Sequence, residues 1–350
     1  MKTGSIEELV KTARDFYLTI VGHDQYLADG IVDKFEAQGL HVFGPTRAQA
    51  QIEWSKAFAK ELMRELDIPT AKQYDTIPHV PIVIKKSSLA FGKGVTVART
   101  MGEAQAALDA ITDDEVVIEE YLEGMEVSAH AFCDGNTFKM FPIAQDHKTI
   151  YDGDKGPMTG GMGTIVPVPV IEGFNPSIAE TVQKIVKKLN FKGILYPGLM
   201  MTKDGPRVLE FNARFCDPET QSYMLLINSD LVEIIEACID GTLDKLDIEW
   251  HSGAAATVVM ASAGYPGRYE KGFPITGIEE AEKLSGVVVF PAGISLSGST
   301  AQTSGGRVLG VSAVGKDLRE ALDRAYAGVS KIHFNGMQYR KDIGKKVFMV

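Results

Sequence analysis

The chain has 350 residues, 45% of them hydrophobic, which is enough for two or three domains with separate cores. Its formal net charge of −10, from 36 basic and 46 acidic residues, speaks against a nucleic-acid surface but leaves room for one phosphorylated small molecule held by a few local donors. With no apolar run near the ~20 residues that span a bilayer, no apolar signal core at the N-terminus, and three widely spaced cysteines (Cys133, Cys216, Cys238), the expectation is a cytoplasmic protein with reduced thiols and no nucleic-acid or membrane partner.

Residues 5–16 read as a helix with Ser5 as N-cap and Ile6, Leu9, Val10 and Ala13 on one face. A strand at Leu18–Val21, a helix over Ala28–Gln38 and a strand at Leu40–Phe43 give a strand–helix–strand pattern and predict a parallel pair. The pattern is short, like the tail of a doubly wound domain. Ser55–Leu66 reads as a helix closed by Pro69, and Pro81–Ile84 and Val116–Glu119 as buried strands. Ser177–Leu189 carries a helical apolar stripe. Ile194–Thr202 and Pro206–Asn212 are strands joined by the turn Lys203-Asp204-Gly205. An apolar helix follows at Leu231–Ile239. Beyond about residue 250 the texture changes to short strands (Val258–Ala261, Val287–Phe290, Arg307–Val311) and a last helix, Leu318–Ile332. The expected division is 1–48, 49–250 with a small lobe near 70–125, and 251–350.

Four segments carry chemistry-bearing residues. In Lys85–Val95 a strand ends in a lysine and leads to Gly92-Lys93-Gly94, where a glycine backbone can close over phosphates; the plain alternative is a Gly-rich hairpin with solvated lysines. The spacing is not that of a Walker A loop. In Val116–Glu126 an apolar strand runs into Glu119, Glu120, Glu123 and Glu126, which reads either as a strand end offering backbone to a purine and a carboxylate to its ribose, or as a solvated acidic face. In Arg207–Asn212 strict alternation places Val208, Glu210 and Asn212 on one face and Leu209 and Phe211 on the core side. A carboxylate and an amide oxygen two residues apart suit Mg²⁺, and Arg214 beside them points to phosphoryl transfer; an amphipathic surface strand is the alternative. Gln145–Gly163 holds five glycines and no apolar periodicity, so a long irregular functional loop is expected there, with Asp146, His147 and Lys148 at its start. A lone histidine such as His147 is more often a structural hydrogen-bonder than a catalyst.

In this order the motifs resemble the ATP-grasp superfamily and, within it, the phosphoribosylamine–glycine ligases. The resemblance rests on FGPT (43–46), SKAF (55–58), PIVIK (81–85), GKGV (92–95), QDHK (145–148), TGGMG (159–163), EFNARF (210–215), DPETQ (217–221), GYPG (264–267), GGRVL (305–309) and YRKDIG (339–344), and covers roughly residues 17–345. It implies an ATP-grasp fold, α/β and α+β, with a truncated N-terminal parallel α/β domain and a small mixed C-terminal domain. It implies ATP with Mg²⁺ or Mn²⁺ as cofactors and glycine and phosphoribosylamine as substrates. By the same resemblance Lys56 and Lys85 meet phosphate oxygens, Gly92, Lys93 and Gly94 cover the triphosphate, and Glu120 and Leu122 face adenine. Glu126 meets ribose, Glu210 and Asn212 hold the metal, and Arg214 and Lys93 serve catalysis. Asp146, His147, Lys148, Gly160, Gly161, Met162, Gly163 and Asp217 line the side of glycine and the amine. The implied reaction activates glycine as glycyl phosphate, which the amine then captures.

The chain departs from the family pattern at four places. No GNGGREH-like phosphate turn precedes Leu18, Gly22-His23-Asp24 stands for Gly-Pro-Glu, Ser87-Ser88 for Asp-Gly, and Cys216 for Gly. The first two bear on the acceptor's phosphate. They leave open three other expectations: a different amine acceptor, an impaired nucleotide-binding subunit whose partner chain supplies the phosphate loop, or a start that lies upstream.

Overall fold

The computed structural model describes residues 4–90, 94–169 and 175–348. The chain forms two compact units, each assembled from separate stretches: Met1–Phe141 with Gly173–Phe215 and Asp230–Ile248, and Pro142–Glu172 with Cys216–Ser229 and Glu249–Val350. No helix among the described residues is long and apolar enough to cross a membrane.

The first unit opens with the helix Ile6–Ala13, whose Ser5 and Glu8 form a reciprocal capping box. The strands Thr19–Ile20 and Val42–Phe43 pair in parallel, as the strand–helix–strand pattern predicts. The helix expected between them is two, Asp24–Ala28 and Ile31–Glu36, because Gly30 interrupts it at φ 78°. At the divergent Gly22-His23-Asp24, the His23 ring caps the first of these by accepting the Gln25 N–H at 3.2 Å. Lys56–Glu65 is the next long helix, with the Ser55 hydroxyl accepting the Phe58 N–H.

A four-stranded antiparallel sheet follows, in the order Gln73–Tyr74, Val116–Glu120, Ile82–Lys86, Val95–Ala98. Ile82, Ile84, Ala98, Ala104 and Ile118 form its core, with Ala104 supplied by the helix Met101–Asp109. The second sheet of this unit is centred on Lys192–Thr202, a long and mostly buried strand. Gly205–Asn212 pairs with it on one side, and Met125–Ser128 and Ala131–Asp134 on the other. The helices Asn175–Leu189 and Leu231–Asp240 pack against it.

The second unit is built on a six-stranded antiparallel sheet. Its path runs Gln145–Asp146, Gly163–Val166, Ala254–Ser262, Arg307–Gly315, Val287–Pro291, and Met337–Gln338 pairs with the end of Ala254–Ser262. Every residue of Ala254–Ser262 is buried, because the helices Leu318–Val329 and Glu219–Leu226 both pack on it. Polar groups there are satisfied in series: Thr164, Ser222, Thr257 and Ser312 form a chain of hydroxyl hydrogen bonds of 2.8–2.9 Å.

Residues 145–163 are not the irregular loop that their glycines predict. Two ends of the segment are strands of the large sheet, and between them Thr149–Tyr151 and Lys155–Met158 form an antiparallel hairpin. Gly153, Asp154 and Gly156 have φ of 69°, 54° and 80°, so the glycines supply the left-handed backbone of a tight turn.

Candidate functional site

The strand Gly205–Asn212 does not alternate strictly. Gly198 opposes Glu210 and Leu199 opposes Val208, so Leu209 is an extra residue on this strand, a β-bulge. The phase therefore resets at Leu209. Val208 and Phe211 are both buried and Leu209 is only half-buried, which corrects the expectation that Val208 shares the face of Glu210 and that Leu209 faces the core. Beyond the bulge the register is regular, with Glu210, Phe211 and Asn212 opposite Gly198, Pro197 and Tyr196, so Glu210 and Asn212 share a face.

Arg214 lies just past the strand and donates to Asn212 Oδ1 at 3.2 Å and to Glu53 Oε1 at 3.1 Å. Glu53 is buried and its second oxygen accepts the Ala213 N–H at 2.9 Å. Burial raises the Glu53 carboxyl above the usual carboxylate range, against the pull of Arg214. Asn212 and Arg214 are thus fixed from behind by Glu53. Glu210 has no hydrogen-bond or ion-pair partner among the described residues, and Gly198 opposite leaves room beside its side chain.

Lys85 is buried. Its ammonium pairs with Glu119 and donates to the Leu209 carbonyl, the bulged residue, at 2.9 Å. Lys60 pairs with the other Glu119 oxygen at 2.9 Å and donates to Thr70 Oγ1 at 3.1 Å. Burial lowers the Lys60 pKa below the usual lysine range, and Glu119 opposes the shift. Lys56 is half-buried, with Nζ 3.2 Å from the Ser88 carbonyl. Burial also draws its ammonium below the lysine range; Glu210 opposes this and Lys85 adds to it, so the three charges act on one another. Ser87 is occupied structurally: its hydroxyl accepts the Ala57 N–H at 3.1 Å and its carbonyl the Lys56 N–H at 3.0 Å. Ser88 bonds to Asp114.

Gly94 sits at the foot of the next strand, where an added Cβ would stand 2.4 Å from Ala90 Cβ. Gly92 and Lys93 lie outside the described residues. Glu120 and Lys72 are joined twice, each N–H accepted at 2.9 Å by the other residue's oxygen. Leu122 lies in the link between the strands Val116–Glu120 and Met125–Ser128, and Glu126 stands on the latter opposite Met200. Lys56, Lys85, Gly94, Glu120, Leu122, Glu126, Glu210, Asn212 and Arg214 all belong to the first unit.

The remaining expected residues belong to the second unit and are brought together there. Asp146 is buried. It accepts the His147 N–H at 2.7 Å and pairs with Lys148 at 2.7 Å. The Thr159 hydroxyl donates to the Lys148 carbonyl and accepts the Gly161 N–H at 3.0 Å. Gly161 has φ 111°, and a Cβ there would stand 2.5 Å from Pro218 and 2.8 Å from Asp146 Oδ1. Only glycine fits. The Met162 side chain is fully buried with Ile150, Val259 and Ala261.

His147 is buried with both ring nitrogens engaged. Nε2 accepts the Gly344 N–H at 3.0 Å, so Nδ1 carries the proton and donates to the Gly163 carbonyl at 3.0 Å. Burial, helped by Arg340, lowers its pKa from 6.5 to about 4. The ring is a neutral strut between two backbone segments.

Asp217 is half-exposed and is reached by Arg307, whose Nη1 lies 3.1 Å from its carboxylate, 3.0 Å from its carbonyl and 2.9 Å from the Gly160 carbonyl. Arg307 therefore ties the Gly160–Gly163 turn to the Asp217 turn. The Gly160 N–H donates to the Tyr265 hydroxyl at 3.1 Å. Among the described residues no group of three or more His, Cys, Asp or Glu could hold a metal ion.

Glu53 and Arg307 are supporting residues to which the sequence assigns no role, and Glu119, expected in an acidic run, is instead buried against Lys60 and Lys85. Glu119 meets Lys85 diagonally across an antiparallel pair in which Val83 opposes Glu119 and Lys85 opposes Val117, a relation that needs the register. Arg307 lies inside GGRVL, one of the quoted motifs, and that was the available signal.

Sequence profiles for phosphoribosylglycinamide synthetase match in three consecutive parts: the N domain at residues 1–53, the ATP-grasp (A) domain at 54–220 and the C domain at 255–346. A phosphoribosylamine–glycine ligase of Caldanaerobacter subterraneus subsp. tengcongensis is 43% identical over 373 residues, covering 97% of this chain and 88% of the relative. One from Nostoc sp. is 47% identical, covering 95% and 84%. The crystal structure of the Thermotoga maritima phosphoribosylamine–glycine ligase superposes with a TM-score of 0.83 at 32% identity, covering 97% of this chain and 89% of that one. The biotin carboxylase domain of Hydrogenobacter thermophilus 2-oxoglutarate carboxylase gives a TM-score of 0.73 at 16% identity, covering 95% and 78%, a likeness of fold alone. The chain belongs to the phosphoribosylglycinamide synthetase family and has its ATP-grasp fold, with an N domain before it and a C domain after it in the sequence.

Proposed function

We propose that this chain is a cytoplasmic ATP-dependent ligase that joins glycine to 5-phosphoribosylamine, giving glycinamide ribonucleotide, ADP and phosphate. The observation that carries the reading is the match to phosphoribosylamine–glycine ligases over nearly the whole chain at 43–47% identity. A glycine carboxylate oxygen attacks the γ-phosphorus and the bond to the β-phosphate oxygen breaks, releasing ADP. The amine nitrogen then attacks the glycyl carbonyl carbon, phosphate leaves, and the nitrogen loses a proton.

Lys56 and Lys85 supply positive charge for the phosphates, with Lys85 held by Glu119 and Leu209. Gly92, Lys93 and Gly94 cover the triphosphate, and Glu120, Leu122 and Glu126 take the nucleoside. Arg214 stabilises charge on the transferred phosphoryl group. Asp146, Lys148, Gly160–Gly163 and Asp217 receive glycine and the amine, and His147 holds the backbone that presents them.

Glu210 and Asn212 fit a magnesium or manganese ion. Two oxygen donors on one face, one of them an uncommitted carboxylate, suit a cation that keeps waters and substrate phosphates as its other ligands. When bound, the ion neutralises phosphate charge. The chain's own part is to orient the reactants and to stabilise charge. ADP release, measured with glycine alone, with phosphoribosylamine alone and with both, tests the reading. Full turnover is expected only with both, and equal release with neither would overturn it.

A further inference from the structure

The segment Tyr339–Gly344 takes no part in the reaction described above, yet it carries the largest fully buried side chain among the described residues, Arg340. A guanidinium has five N–H donors in a fixed fork, and here each has its acceptor. Nε and Nη2 grip both oxygens of Asp342, each at 2.8 Å. Nη2 also donates to Asp154 at 3.0 Å. Nη1 donates to the Thr149 hydroxyl at 2.8 Å and to its carbonyl at 3.2 Å. Burial disfavours the Arg340 charge, but Asp342 and Asp154 outweigh it, and Arg340 in turn helps hold the Asp342 carboxyl down to about 2.

Of these acceptors Thr149 and Asp154 sit on the hairpin Thr149–Met158, while Asp342 lies on the segment of Arg340 itself. Asp342 also accepts the Gly153 N–H at 2.7 Å, and Asp152 the Lys341 N–H at 2.8 Å. The segment is anchored by Tyr326 of the helix Leu318–Val329, whose hydroxyl donates to the Arg340 carbonyl at 2.9 Å and accepts the Ile343 N–H at 3.1 Å. The next residue, Gly344, donates to His147.

The hairpin needs such a hold. It stands outside the large sheet as a two-stranded piece, and every residue of Lys155–Met158 is exposed. Two-stranded hairpins alone are marginal in water. Lys148 enters it directly and Thr159 leaves it directly, and those two are hydrogen-bonded to each other beside Gly160–Gly163. A shift of the hairpin passes straight into both.

We propose that Arg340 is a positioning residue: it buckles the hairpin Thr149–Met158 from the C-terminal segment and so fixes Asp146–Lys148 and Gly160–Gly163 for the substrates they receive. This rests on the functional reading above for which substrates those are. Lysine cannot replace the fork, since it has three donors on a flexible stem.

The test is Arg340→Lys in the full chain, with Asp154→Asn as a milder variant that keeps an acceptor oxygen at the hairpin turn but removes the charge that Arg340 and Lys346 meet there. Hydrogen exchange should quicken in 149–158 and 339–344, and KM for glycine or phosphoribosylamine should rise about tenfold or more while KM for ATP stays within about twofold. Asp154→Asn should fall between Arg340→Lys and wild type. Unchanged exchange in 149–158 would overturn the proposal, and so would faster exchange with unchanged KM values, or an equal loss for all three substrates. If wild type consumes ATP without using glycine, the functional reading fails separately, and exchange in 149–158 still decides whether Arg340 is the buckle.

Discussion

Glu210 stands on a regular stretch of strand with no hydrogen-bond or ion-pair partner among the described residues, so its removal should cost function rather than fold. Glu210→Ala is expected to abolish magnesium-dependent ADP release while urea unfolding stays within about 0.5 kcal/mol of wild type. Glu119 is the opposite case. It is 1% exposed and answers two buried lysines, so Glu119→Gln should destabilise the chain by about 3–5 kcal/mol and weaken ATP binding, read by denaturation and calorimetry. His147 carries a pH dependence. Its folded pKa of about 4 lies below the ordinary 6.5, so between those values the unfolded chain binds more protons and stability is lost as pH falls. The loss from this ring is on the order of 3 kcal/mol by pH 4, and His147→Asn should remove that part of the slope in denaturation series from pH 7 to 4.5. The common face of Glu210 and Asn212 was legible in the sequence because it needs only a spacing of two. The place of Val208 and Leu209 was not, because a bulge changes the phase without changing the composition. Glu119 was hidden for another reason: its partner is set by strand register, which no local pattern states.

Among the elements, the long helices were legible from periodicity, since each buries one clear face, and the central strand Lys192–Thr202 from its continuous apolar run, since it is buried on both faces. The hairpin Thr149–Met158 was not. Its second strand is wholly exposed, so no alternation marks it, and its glycines read as absence of structure when they supply turn geometry. Gly161 offers a test of the adjoining turn. Gly161→Ala forces a Cβ against Pro218 and Asp146 in left-handed backbone, and should raise KM for glycine more than tenfold and lower Tm by about 2–4 °C, read by steady-state kinetics and thermal unfolding.

For the molecule as a whole, the residues assigned to ATP fall in one compact unit and those assigned to glycine and the amine in the other. The two kinds of affinity should therefore separate. Lys85→Ala should weaken ATP binding by about tenfold and leave glycine KM near wild type, while Arg307→Ala should do the reverse, both measured by calorimetry and kinetics. The sequence divides the chain by texture near residue 250, but the units interleave, with Pro142–Glu172 closing onto residues from the far end of the chain. The Arg340 buckle gives this a consequence in time. A ribosome delivers Asp146 to Gly163 long before it delivers Tyr339–Gly344, and domains fold as their residues emerge. A nascent chain can complete its ATP unit at Ile248 while the glycine segment still lacks its clasp. A polypeptide halted before Tyr339 should hold nucleotide and leave it unspent.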